Sequence, residues 1–165
     1  MESIADVDIP ALMARGIETA LLDLDNTIVP WKLYQIPEES AQWVRTAKEM
    51  GLKMCIASNT HNPRRLRQLA EELDLPYLHR ILKPRRGGLS KALKILGSEA
   101  SRTVMIGDQV FTDVLGGRRM GMYTILVKPL ARREFVGTKI SRIVENCLLA
   151  YFRRRGMIGT KRAAR

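Results

Sequence analysis

Five short apolar segments, at residues 19–24, 53–57, 76–78, 103–106 and 122–127, alternate with stretches whose apolar residues recur at helical spacing. That alternation leaves few architectures open. A strand followed each time by a helix returns to the same edge of its sheet, so the sheet is parallel and covered on both faces. The helices carry their own boundary signals. Pro37 opens one in which Trp43, Val44, Ala47 and Met50 share a side, and Gly51 closes it. Asn62-Pro63 supplies an N-cap and a first-turn proline for a second, built on Leu66, Leu69, Ala70 and Leu73. Leu89, Ala92, Leu93 and Leu96 define a third, stopped by Gly97, and a short helix is expected over about residues 111–120. The expected fold is α/β: a single Rossmann-like, parallel five-stranded sheet with helices on both faces.

Beyond Lys128-Pro129 the character of the chain changes. Ile140, Ile143, Val144, Cys147, Leu148 and Tyr151 fall on one stripe of a helix that ends in Arg153-Arg154-Arg155. The expected organisation is a core over residues 1–137, a basic amphipathic helix over 138–155 packed on or beside it, and a disordered basic tail over 156–165. Charge follows the same division. Residues 1–113 hold 15 Lys and Arg against 15 Asp and Glu, whereas residues 114–165 hold 13 against 2 and so carry the whole net charge of +11. A basic arm or face suits an anionic partner, either membrane or nucleic acid; a solubilising tail is the plainer reading. Cys55 and Cys147 lie far apart among apolar residues and read as buried free thiols. The start of the chain has no apolar signal core, and the longest uninterrupted apolar run is far short of a membrane span. The expected location is the cytoplasm, with peripheral placement on the inner face of a membrane as an option.

In an open parallel sheet, ligands gather outside the carboxyl ends of the strands. The first strand here ends in Asp23 and Asp25, the second in Ser58-Asn59 and the fourth in Gly107-Asp108. Asp23 and Asp25, two residues apart on an extended chain, would face one side and repel. A hard divalent cation with oxygen ligands relieves that repulsion and also neutralises phosphoryl oxygens, which lets an anionic nucleophile approach an anionic ester. Each piece alone has an ordinary reading: Asp-x-Asp as a turn or N-cap, Ser58-Asn59 as a strand-to-helix turn, Lys83 as a surface lysine. Their succession at strand ends is hard to obtain by chance.

Asp23-Leu24-Asp25-Asn26-Thr27, Ser58-Asn59, Lys83-Pro84 and the segment from Gly107-Asp108 to Asp113 resemble, in order, the four motifs of haloacid-dehalogenase-superfamily phosphatases. The Asp-x-Asp-Asn-Thr form is similar to subclass III, and within it subclass IIIA. The strings from Ile106 to Gly117 and from Tyr123 to Val127 resemble the YqeG family, which includes relatives of the mitochondrial phosphatidylglycerophosphatase. The resemblance implies Asp23 as nucleophile, Asp25 as general acid and base, and Lys83 as the catalytic cation. It implies Ser58 and the Asn59 amide as phosphate ligands, and Mg²⁺ held by Asp23, the Asp25 carbonyl and Asp108. Thr27 would support the site, and Asp113 would orient Lys83 or a metal-bound water.

The intervals between motifs have no room for an inserted cap domain, so the site is expected to be open, with residues 31–34 near its mouth as a short flap or as a small patch closing the core edge. His61 would either touch substrate or only begin a helix, and His79 reads as structural or exposed. Arg85 and Arg86 fit a headgroup contact and plain solvation equally. Gly116-Gly117 reads as close helix packing, because no phosphate-loop pattern accompanies it. The leading functional expectation is Mg²⁺-dependent hydrolysis of a phosphomonoester through an aspartyl-phosphate, with phosphatidylglycerophosphate as the substrate the resemblance implies. The alternatives are a soluble nucleotide or sugar phosphate and, in another class, an RNA- or ribosome-associated basic protein.

Overall fold

The computed structural model describes residues 1–131. The expected helix over 138–155, the tail over 156–165 and Cys147 lie outside them. Five parallel strands form one sheet: β1 (Thr19–Leu22), β2 (Lys53–Ala57), β3 (Tyr77–Leu78), β4 (Thr103–Gly107) and β5 (Tyr123–Leu126), in the order β3-β2-β1-β4-β5. The chain builds outward from β1 through β2 to β3, then crosses to the other side of β1 for β4 and β5. The switch point therefore falls between β1 and β4, where an open sheet presents its ligand crevice.

Register fixes what meets there. Leu22 lies opposite both Ile56 and Ile106, so the three central strands run level. Asp23 extends the ladder by one bond, its N–H donating to Ile106 O at 2.9 Å. The residues that follow β1, β2 and β4 consequently emerge along one edge.

Alternation along β1 divides the core into two layers. Ala20 and Leu22 face α2 (Glu38–Glu49) and α3 (Pro63–Glu72), packing with Trp43, Val44, Leu66 and Leu69. Ile9 and Leu12 of the short α1 (Ile9–Ala14) join that layer, and Trp43 Nε1 donates to Val7 O at 2.8 Å. Leu21 points the other way, with Cys55 and Met105, toward Leu89 and Leu93 of α4 (Arg86–Leu96). Both layers are closed, as a sheet buried on two faces requires. Burial of the Cys55 thiol pushes its pKa up to about 11, so it stays protonated at neutral pH.

Local signals behave as the sequence indicates. Asn62 caps α3, its Oδ1 accepting from Arg65 N at 3.0 Å, and Gly97 ends α4 in the left-handed region at φ +57°. Two elements differ. The N-terminal α1, too short for a legible period, does not stand out in the sequence. The expected helix over 111–120 is a π-helical turn (Val110–Val114) running into α5 (Leu115–Met120). Gly117 lets α5 lie against β4 and β5, since a Cβ there would meet Thr124 Cγ2 at 2.7 Å and Met105 Cβ at 3.0 Å. Among the described residues, no helix is long and apolar enough to cross a membrane.

Candidate active site

Asp23 follows the central strand and is buried. Lys83 Nζ donates to its Oδ1 at 2.6 Å and lies 2.7 Å from Asp113 Oδ1, so one ammonium bridges two carboxylates. All three side chains are nearly inaccessible, with Lys83 only 1% exposed. The second oxygen of Asp113 accepts from Gln109 N at 3.1 Å. The π-helical turn that carries Asp113 places this carboxylate against the end of β4. Gly107 makes room for it: a Cβ at that position would sit 2.2 Å from Asp113 Oδ2.

Burial raises the Asp23 carboxyl most. Lys83 opposes that shift, while Asp113 and, least, Asp25 add to it, and the outcome is a pKa of about 7. For Lys83, burial alone would favour the neutral amine. The negative charges of Asp113 and Asp23 outweigh it, and the ammonium is held above its ordinary range. The centre is thus crowded with anions despite its lysine.

The loop carrying Lys83 is anchored by Asn59. Its Oδ1 accepts from Lys83 N at 2.9 Å and its Nδ2 donates to Lys83 O at 3.1 Å, a two-point clamp ahead of the cis Lys83-Pro84 bond. Ser58 is buried, and its Oγ accepts from Thr60 N at 3.1 Å, which leaves the hydroxyl proton to donate elsewhere. Asp108, one residue past β4, is also buried. Carboxylate oxygens of Asp23, Asp108 and Asp113 lie within 4.8 Å of one another.

Asp25 stands apart from that cluster. The chain turns sharply after Leu24: Asn26 takes φ +64°, its N–H donates to Val29 O, and its Oδ1 accepts from Trp31 N. Asparagine tolerates this left-handed conformation. Asp25 Oδ1 consequently meets Arg65 Nη1 of α3 at 2.7 Å, and its side chain keeps 20% exposure.

A haloacid dehalogenase-like hydrolase family model matches residues 3–121. The chain is 36% identical to the probable phosphatase YqeG of Bacillus subtilis over 147 residues, which cover 89% of this chain and 85% of that protein. It is 30% identical to the chloroplastic/mitochondrial phosphatidylglycerophosphate phosphatase 1 of Arabidopsis thaliana, covering 92% of this chain but 46% of that protein. The chain thus spans about half of that plant relative. Among solved structures, an uncharacterized protein from Listeria monocytogenes superimposes with a TM-score of 0.58 at 17% identity, over 81% of this chain and 98% of that one, a likeness of fold.

The chain belongs to the haloacid dehalogenase-like hydrolases.

Together with the intact motifs, the relationship to YqeG makes this hydrolase a phosphatase. No cap domain interrupts it: between Asp25 and Ser58 lie one loop, α2 and β2, and between Ser58 and Lys83 only α3 and β3. The donor set suits a hard divalent cation. Asp23, Asp108 and Asp113 are the side chains that could hold one, Asp113 being also engaged by Lys83 and the Gln109 N–H.

Two features escape a sequence reading. The side chain of Asn59, and not only its amide, organises the site by clamping the lysine loop. Arg65, inside what reads as the polar face of an amphipathic helix, is buried against Asp25. Nothing in the spacing of α3 marks it, because an arginine between apolar positions is the ordinary helix pattern. Thr27 Oγ1 is buried, with no hydrogen bond to either aspartate. His61, His79, Arg85 and Arg86 are exposed.

Proposed function

We propose that this phosphatase hydrolyses a phosphomonoester on an anionic lipid headgroup, phosphatidylglycerophosphate to phosphatidylglycerol. The observation that carries this reading is a carboxyl edge, uncapped among the described residues, with Asp23 at its centre, in a chain related at 30% identity to two proteins named phosphatidylglycerophosphate phosphatase. Among the described residues no cap excludes water, a task that bulk or a surface on the substrate side would then take up.

Asp23 attacks phosphorus to give an aspartyl-phosphate, and Asp25 gives the departing oxygen its proton. Asp25 then takes a proton from the water that attacks this intermediate, and Asp23 is restored with release of phosphate. Ser58 Oγ and the Asn59 N–H donate to phosphoryl oxygens. Lys83 balances charge on Asp23 and the phosphoryl group, held in place by Asp113 and the Asn59 clamp. Mg²⁺, held by Asp23 and Asp108 with the Asp25 carbonyl, would supply Lewis-acid neutralisation of the phosphoryl oxygens. Its charge would also return Asp23 to the carboxylate form despite burial.

The mouth of the site supports a lipid surface. Leu33 and Tyr34 are exposed on the loop after β1, and Leu82, next to Lys83, is 56% exposed. Leu82 takes φ +57° and Arg80 φ +48°, a costly backbone for these residues that no burial offsets. Arg80 and Arg85 are exposed on the same loop, and Arg86 is exposed at the start of α4. Near an anionic bilayer each such cation contributes about 1 kcal/mol, and the 13 basic residues beyond position 113 add to that attraction.

The test compares phosphate release from phosphatidylglycerophosphate in vesicles with release from soluble nucleotide and sugar phosphates. A kcat/KM higher on the vesicle substrate is expected. Preference for a soluble ester removes the lipid assignment and leaves the hydrolase chemistry intact.

A further inference from the structure

Arg65 has an unusual set of partners for a surface-helix residue. Its side chain is 4% exposed. Nη1 donates to Asp25 Oδ1 at 2.7 Å, Nε to Leu33 O at 2.8 Å and Nη2 to Pro30 O at 3.4 Å. Its guanidinium lies 5.9 Å from the centroid of the Tyr34 ring, and the Tyr34 hydroxyl is 3.5 Å from Asn62 Nδ2, the cap of the same helix. One planar group therefore binds a carboxylate of the site and two carbonyls of the loop beside it.

We propose that Arg65 is a positioning residue for the phosphatase reaction: it fixes the Asp25 carboxylate and the loop at residues 30–34 as one unit for proton transfer to the leaving group. The proposal rests on the reading of Asp25 as general acid and base. Three arguments lead to it. A buried cation is a poor way to stabilise a helix, since desolvation offsets much of the attraction and an apolar residue does as well. Hydrogen bonds to the fork leave the planar guanidinium little freedom, so the carboxylate it holds inherits a fixed direction. Asp25 also lies past the end of β1, at the turn around Asn26, unlike Asp23 and Asp108, which directly follow strands, so the sheet does less to set its orientation. Without Arg65 it would lose its direction.

The distinguishing measurement is leaving-group dependence. A nitrophenolate departs without a proton, whereas an alkoxide needs one in the transition state. Loss of general-acid help therefore penalises alkyl esters selectively, while a fold defect penalises all esters alike. The full-length chain is assayed as wild type, Asp25→Asn, Arg65→Met, Arg65→Lys and the Asp25→Asn/Arg65→Met double variant. The esters are p-nitrophenyl phosphate and glycerol phosphate, both with Mg²⁺.

Asp25→Asn is expected to shift the ratio of kcat/KM for the two esters against the alkyl ester by about 100-fold or more. Arg65→Met is expected to shift it the same way by about 10-fold, Arg65→Lys by less, and the double variant no further than Asp25→Asn alone. Equal loss on both esters in Arg65→Met, an unchanged ratio, or a ratio shifted toward the alkyl ester overturns the proposal. If Arg65→Met does not fold, the same criterion applies to Arg65→Lys, whose ammonium keeps the charge without the fork. An Asp25→Asn variant with no leaving-group dependence instead removes the acid/base reading. That outcome is distinct from a normal Asp25→Asn result with a flat Arg65 series.

Discussion

Lys83 and Arg65 are both buried cations paired with carboxylates at the same edge of the sheet, yet they are held in opposite ways. Lys83 carries a compact charge between Asp23 and Asp113, and its backbone is clamped by Asn59 on both sides of the peptide. Arg65 starts from a regular helix, and its side chain does the holding, reaching one carboxylate and two loop carbonyls. A point charge needs its backbone fixed if it is to act at a fixed place, whereas a fork on a rigid helix can fix other groups. The difference separates a residue that supplies charge from one that supplies direction.

The largest effect should come from the carboxylate they converge toward. Asp23→Asn keeps the size of the side chain and removes the anionic oxygen, so phosphate release should fall by at least about 10⁴-fold, measured with excess Mg²⁺. Retained activity would sink the nucleophile assignment. Lys83→Met should lower kcat by about 10²- to 10³-fold, as loss of a preorganised electrostatic group does. In EDTA it should also lower stability by about 3–5 kcal/mol, because Asp23 and Asp113 are left without their counter-ion. An Lys83→Met protein that melts like the wild type in EDTA would break the contrast with exposed pairs.

Gly107→Ala tests whether the lysine depends on being held. The added methyl group displaces Asp113, and activity should drop by about 10- to 100-fold while far-UV circular dichroism stays native. Smaller still is a pH effect in the metal-free protein. The unfolded Asp23 loses its proton near 3.8 and the folded one near 7, so between these values the folded state binds more protons. Stability should therefore fall as pH rises through that window. The wild-type Tm in EDTA should decline relative to Asp23→Asn between about pH 4 and 7, and Mg²⁺ should flatten the decline. Least of all, Arg67→Ala removes an exposed pair with Glu71 two residues from Arg65 and should leave both Tm and kinetics unchanged. That pairing of neighbours, one inert and one not, sharpens the comparison.

These contrasts also explain what could be read in advance. Asp23, Ser58 and Asp108 follow strand ends in a level sheet, so chain order and apolar runs were enough to bring them together, whereas Lys83, on the loop beyond β3, was marked only by the family resemblance. The fold itself was legible for the same reason: α2, α3 and α4 carry their own periods, with Gly51 closing the first, Pro63 opening the second and Gly97 closing the third. What could not be read depends on direction in space. The shift of Asp113 onto a π-helical turn, the Asn59 clamp and the burial of Arg65 arise from packing between segments far apart in sequence. Nor could α1 be seen, since Ile9 and Leu12 are too few to define a period and declare themselves only by lying on the Trp43 layer.

The level register of β1, β2 and β4 bears on how the site would fail. Asp23 donates its amide to β4 from within the ladder, so that proton should exchange with solvent only when the whole sheet opens, at the free energy of global unfolding. The Asp25 segment has no strand ladder of its own; turn bonds to Leu24 and Val29, the Leu130 N–H on Asn26 O, the buried Leu24, Ile28 and Val29 and the Arg65 fork hold it, and its amides should exchange at lower cost than the ladder's. Heat or denaturant would then silence proton transfer before it disturbs the nucleophile. A protein warmed toward its melting point should keep its ability to be phosphorylated by activated esters after turnover of ordinary ones has begun to fade.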